Sequence, residues 1–169
     1  EEILRSGGGR ESRYQNCSGK HSGMLATCVA AGWATRGYLD ADHPLQVHIT
    51  AVLGTLLGHH VAHIGVDGCG APAHMMTVHD LARCFAVLGR AESEQTRRVA
   101  DAMRAHPELV GGPGRPVTTF IRTIPGLVAK DGAEGVFGAA LEDGSAVAMK
   151  IGDGAGRAAP VVLAGLLAS

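Results

Sequence analysis

Aromatic residues are scarce in this chain, at 4% of the sequence, with one Trp, two Tyr and three Phe. So few rings leave no stacking platform for single-stranded nucleic acid. Charge of one sign is also missing, since 15 basic residues stand against 16 acidic ones. Without a basic stripe, DNA and anionic membranes are excluded as expected partners. No apolar run approaches the length of a transmembrane helix. The first residues, Glu1-Glu2-Ile3-Leu4-Arg5, lack the apolar run of a secretion signal. Cysteine is limited to Cys17, Cys28, Cys69 and Cys84, too few for a disulfide scaffold of this size. They read as reduced thiols of a cytoplasmic protein. Two serine-nucleophile blocks are absent as well: the chain contains neither Ser-x-x-Lys nor Gly-x-Ser-x-Gly. It also begins without methionine, which reads as a cut piece or a processed subunit.

What remains is enough for a folded domain. The chain has 169 residues and is 46% hydrophobic, sufficient for one domain with a core. Two cysteine-bearing stretches stand out. The first is Asn16-Cys17-Ser18-Gly19-Lys20-His21-Ser22-Gly23-Met24-Leu25, which reads as the start of a helix with Asn16 or Ser18 able to cap it. Three-residue spacing places Cys17 and Lys20 on one face. The positive helix end and a nearby ammonium both favour a thiolate at Cys17. The second stretch is Val66-Asp67-Gly68-Cys69-Gly70-Ala71-Pro72, where flanking glycines put Cys69 in a tight turn.

Periodicity predicts a helix over 18–31 closed by Gly32. A second helix follows, capped by Asp42 or His43 with Pro44 in its first turn and Gly58 at its end. A short strand over 61–66 delivers Asp67 and Cys69 to their turn. Thr77 caps a third helix, and 92–105 reads as a fourth. Residues 111–114 form a loop, and 117–123 a short helix that stops before Pro125. Residues 135–141 and 146–151 read as a hairpin across the turn 142–145, and a helix over 160–168 closes the chain. The expected class is α+β, an antiparallel sheet with flanking helices. The segment 1–15 is expected to be a loop or truncated entering segment.

Cys17, Lys20 and Cys69 can form a zinc site, because two thiolates and one further donor leave a position for water. They can equally be buried hydrophobes beside a Lys20–Asp67 pair. His59 and His63 have the spacing of a zinc helix but lack the intervening glutamate, so a surface histidine cluster at a helix end is expected. Lys150 shares a strand face with Ala146 and Ala148, either reaching a site or facing solvent. Lys130-Asp131-Gly132-Ala133-Glu134-Gly135 leads into the hairpin. Its Lys-x-Gly echoes the strand lysine of penicillin-recognising enzymes, and Glu134 can meet a polar substrate.

Taken in order, these stretches resemble the asparaginase II family, the rhizobial type of L-asparaginase. The resemblance rests on Asn16 to Met24, on Asp67-Gly68-Cys69-Gly70-Ala71-Pro72 with Leu81-Ala82-Arg83, and on Ala102-Met103-Arg104 with His106-Pro107-Glu108-Leu109-Val110. It continues through Lys130 to Val136 and through Lys150-Ile151-Gly152-Asp153-Gly154. It implies hydrolysis of L-asparagine to L-aspartate and ammonia, on a fold similar to serine β-lactamases and glutaminases. In such enzymes the serine of Ser-x-x-Lys attacks the amide carbonyl and a lysine takes its proton.

By matching positions, Cys17, Lys20 and Cys69 are implied zinc ligands with Asp67 in support. Lys130 is the implied catalytic strand lysine, and Asp67, Glu134 and His21 are implied substrate contacts. Lys150 receives no catalytic role. A homodimer is expected. Because Ser-x-x-Lys is absent, residues 16–169 are expected to be the C-terminal part of such an enzyme, inactive alone. Two other readings stay open: a zinc- or amino-acid-binding module without catalysis, and a thiol-dependent amidohydrolase with Cys17 as nucleophile.

Overall fold

The computed structural model describes residues 5–167. The expectations for residues 1–4 and 168–169 lie outside them. The class is α+β, and the chain divides into two compact units, Glu1–Met75 and Met76–Ser169.

The first unit opens with a 3-10 turn, Ser12–Tyr14, and then helix α1, Ser18–Ala31. Gly32 ends α1 at φ 71°, a left-handed conformation that glycine adopts without a Cβ clash. Helix α2, Pro44–Leu57, is capped by His43, whose ring nitrogen accepts from the Leu45 N–H at 3.2 Å. Pro44 occupies the first turn, where its missing N–H costs nothing. The expected strand over 61–66 shrinks to β1, Ile64–Val66, which pairs antiparallel with β2, Pro72–His74. The ladder pairs 64–66 with 72–74, and one further bond, from the Met75 N–H to His63 O at 2.9 Å, extends it toward 63.

In the second unit, helix α3, Val78–Arg90, begins with a reciprocal box in which Thr77 and Asp80 each satisfy a free N–H of the other. Helix α4, Glu94–Ala105, starts from Ser93 in the same way with Thr96. A one-turn helix α5, Pro107–Val110, and helix α6, Pro116–Thr123, follow. Three antiparallel strands come next: β3, Val128–Asp131; β4, Val136–Ala140; and β5, Ala146–Lys150, in the order β3-β4-β5. Helix α7, Ala159–Leu167, closes the unit.

Side-chain alternation gives this sheet two covered faces. Leu127, Ala129, Phe137, Ala139 and Met149 pack with Val117 and Ile121 of α6 and Leu163 of α7. The opposite face puts Val128 and Ala140 against Ala100 of α4, with Phe85 and Leu88 of α3 around them. Arg104 ties the elements together, donating from Nε to the Gly126 carbonyl at 3.1 Å and from a guanidinium nitrogen to the Gly89 carbonyl at 3.2 Å. Among the described residues no helix is long and apolar enough to cross a membrane.

Candidate functional site

The first unit brings the two cysteine stretches together. Cys17 stands at the N-cap of α1, a place the sequence assigned to Asn16 or Ser18, and its side chain makes no capping bond. Its sulfur is left for tertiary contacts. The turn between β1 and β2 is built on Asp67. The Asp67 N–H donates to Ala71 O and the Gly70 N–H to Asp67 O, both at 2.8 Å. Gly70 sits at φ 84°, which only glycine adopts freely. The Gly68 N–H donates to Asp67 Oδ1 at 2.7 Å, and Cys69 is carried on the turn.

Lys20 joins the two stretches. Its Nζ donates to Asp67 Oδ2 at 3.4 Å and to Cys69 Sγ at 3.3 Å, and the Cys69 thiol donates to Asp67 Oδ2 at 3.5 Å. The ligand atoms of Cys17, Asp67 and Cys69 all lie within 4.8 Å of one another. The zinc reading and the Lys20–Asp67 pair therefore describe the same four residues.

The Gly68 N–H holds the Asp67 carboxyl below its usual range, helped by Cys69 and Lys20. Burial pulls Lys20 down, but its bonds to Cys69 and Asp67 outweigh that and raise it. Burial pushes the Cys17 thiol up, and Cys69 and Asp67 add to this while Lys20 opposes it. The thiolate expected at Cys17 from the helix end is thus disfavoured. Its removal from water and the neighbouring sulfur outweigh the lysine.

Two thiols and a carboxylate that converge this closely are a donor set that suits zinc. Lysine can join them only after losing its proton, against the direction of its shift.

His21 lies one residue beyond Lys20 and serves a different contact. Its Nδ1 is 2.6 Å from the Tyr38 hydroxyl, with the rings edge to face at 5.8 Å. The Tyr38 carbonyl accepts from Gln46 Nε2 at 2.7 Å. His21 Nε2 and Gln46 Oε1 are buried without a hydrogen-bond partner. Gln46, only 1% exposed, was unassigned in the sequence. Its signal was a glutamine within the apolar run of α2.

His59, His60 and His63 follow the end of α2 and are exposed. Among the described residues the one group of three or more potential ligands is Cys17, Asp67 and Cys69.

In the second unit Lys130 lies on β3, a strand ahead of the expected hairpin, and 130–135 leads from it into β4. The pairing Lys130↔Gly138 fixes its register. Lys130 Nζ donates to Asp131 Oδ1 at 2.7 Å and to the Asp131 carbonyl at 2.6 Å. Arg115, which the sequence reading left unassigned, pairs with Asp131 Oδ2 at 3.2 Å. Burial raises the Asp131 carboxyl, but Lys130 and then Arg115 more than offset it, so the net shift is downward. Glu134 sits in a 3-10 turn at φ 56° and ψ 38°, exposed and in the left-handed region. Lys150 is exposed at the end of β5 and donates to the Ile151 carbonyl at 2.7 Å.

Comparison with curated proteins finds no match. The family described as L-asparaginase II matches residues 1–169. The ordered blocks around Cys17, Asp67, Met103, Lys130 and Lys150 agree with a match of that extent, and the chain belongs to the L-asparaginase II family.

Proposed function

We propose that this chain is part of an enzyme that hydrolyses L-asparagine to L-aspartate and ammonia. The observation that carries the reading is the family match over the whole chain. The convergence of Cys17, Lys20, Asp67 and Cys69 supports it. Family membership points to asparaginase-type amide hydrolysis, and the finer assignments below are this reading's own.

A serine supplied from a Ser-x-x-Lys block outside these residues attacks the side-chain amide carbonyl. Ammonia leaves, and water then releases aspartate from the acyl-enzyme. Lys130, on β3, is the catalytic lysine of this reading by its motif position, and its Nζ donates to Asp131 in the structure. By motif position alone, this reading also assigns substrate contacts to Asp67, Glu134 and His21. The resemblance to serine β-lactamases and glutaminases belongs to the same proposal.

Cys17, Lys20 and Cys69 would hold zinc, with Asp67 accepting from the lysine and orienting it. When bound, the ion supplies a fixed positive charge for a substrate oxygen. Every proton it displaces comes from Cys17, Cys69 or Lys20, so binding weakens as pH falls. The raised Cys17 thiol argues against the rival in which this sulfur is the nucleophile, since a nucleophilic cysteine needs a lowered value.

The test measures ammonia release by the enzyme containing the Ser-x-x-Lys part and by the 169-residue chain alone. The longer enzyme is expected to be active and to lose activity in Lys130→Ala, while the chain alone releases none. Zinc is expected at one equivalent and lost in Cys69→Ser. Robust release by the chain alone, abolished by Cys17→Ala, would overturn the proposal in favour of a thiol nucleophile. Zinc or asparagine binding with no hydrolysis in the longer protein would overturn it in favour of a binding module.

A further inference from the structure

We infer that Cys17 and Cys69 form an oxidisable dithiol that peroxides convert to a disulfide joining the start of α1 to the turn between β1 and β2. The inference goes beyond the asparaginase reading and does not depend on it. It starts from where the two sulfurs stand. They come from elements far apart in sequence, yet lie within 4.8 Å of each other. A disulfide needs the sulfurs about 2 Å apart, so each has little more than ~1 Å to travel. Cys17 is the N-cap, at φ −93° and ψ 6°, outside the regular turns of α1. Cys69 lies between Gly68 and Gly70 in a turn held by two backbone hydrogen bonds. Closing the gap calls for a side-chain rotation at each end and gives up the Cys69 bonds to Lys20 and Asp67.

The surroundings single out Cys69 as the attacking sulfur. Lys20 Nζ donates to it at 3.3 Å, a contact that Cys17 lacks among the hydrogen bonds of Lys20. The Asp67 carboxylate accepts from its S–H at 3.5 Å. Cys17 and Cys69 are half-buried, whereas Cys28 is fully buried on α1. Cys84 belongs to α3 in the other unit.

The steps balance. The Cys69 sulfur attacks one peroxide oxygen, an S–O bond forms and the O–O bond breaks. The departing oxygen takes the thiol proton and leaves as water or an alcohol. Cys17 sulfur then attacks the resulting sulfenic acid: S–S forms, S–O breaks, and a water leaves with the Cys17 proton. Two electrons pass from the two thiols to the peroxide. The same sulfurs are the ligands of the zinc proposal, so a bound metal and the disulfide exclude each other.

The experiment uses the full chain, freed of metal with a chelator, exposed to a small excess of hydrogen peroxide, quenched, unfolded and alkylated. Intact mass should show the loss of two hydrogens, with alkylation at Cys28 and Cys84 only. Trypsin should give one linked pair, peptides 14–20 and 37–83, which separates on reduction. Cys17→Ser, which removes the resolving thiol, should let Cys69 gain oxygen without any link. Four results would overturn the inference. These are a link that includes Cys28 or Cys84, a link between two copies of the chain, oxygen gained at Cys17 or Cys69 of the unsubstituted chain in place of the link, and a Lys20–Cys69 bridge through oxygen.

Discussion

Gly138 marks the point where the sheet of the second unit depends on the smallest side chain. It lies on β4 directly opposite Lys130 of β3, and α3 lays Phe85 across it. A Cβ placed on Gly138 would meet Phe85 Cζ at 2.7 Å and other ring atoms closer still. Gly138→Ala must therefore move a ring wedged between the helix and the sheet. Overpacking of this kind costs about 1–3 kcal/mol. The same substitution removes freedom from the unfolded chain and returns roughly 0.4–1 kcal/mol. The clash wins, and a net destabilisation of about 1–2 kcal/mol is expected.

The assay is urea unfolding, with the slope checked so that the midpoint alone carries the difference. For a unit of this size each kcal/mol also lowers the melting temperature by roughly 4–8 °C. The partner residue provides the decisive control. Phe85→Leu alone leaves a gap and costs about 1 kcal/mol, but in the double variant the new methyl fills part of it. The two costs should fall short of their sum by about 1 kcal/mol. If Gly138→Ala is as stable as the original chain, or the two effects simply add, the contact does not control the packing and the reasoning fails.

Other positions give further tests. Glu134 holds a left-handed conformation that costs a side-chain-bearing residue about 1–2 kcal/mol. Glu134→Gly should therefore melt higher than Glu134→Ala, while both lose asparagine affinity in the active enzyme. Equal stabilities would refute the strain, and unchanged affinity would remove Glu134 from the substrate contacts.

Asp131 tests the ion pairs behind Lys130. Its folded value lies below the ordinary aspartate value, so its stabilisation is complete above about pH 4 and is lost as pH falls through the folded value. Asp131→Asn should lose about 1 kcal/mol at pH 7 and show a shallower decline as pH falls below about 4. Parallel acid declines in the two proteins would show that the pairs add nothing.

Local chemistry made much of the molecule readable in advance. The ends of α1 and α2 at Gly32 and Gly58, the Thr77 start of α3 and the β4–β5 hairpin all follow from signals within a few residues of each feature. Glycine at a left-handed position, a hydroxyl ahead of a helix and alternation around a turn act over short range, so sequence alone carries them. The motif order was likewise legible, and with it the family.

Pairing across distance was decided elsewhere. β3 carries Lys130 as a strand only because β4 supplies its ladder, and β2 exists only opposite β1. The terms that set the proton on Cys17 are also tertiary. Sequence neighbours favoured a thiolate there, but burial and the approach of Cys69 and Asp67 reversed the sign. Tyr38, Gln46 and Arg115 entered the account through partners remote in the chain. Sequence by itself determined which residues could carry the chemistry and where the local elements start and stop. Whether those sulfurs meet, whether Lys20 reaches Asp67 and which way burial shifts each group depend on distance and desolvation, which exist only once the chain has folded.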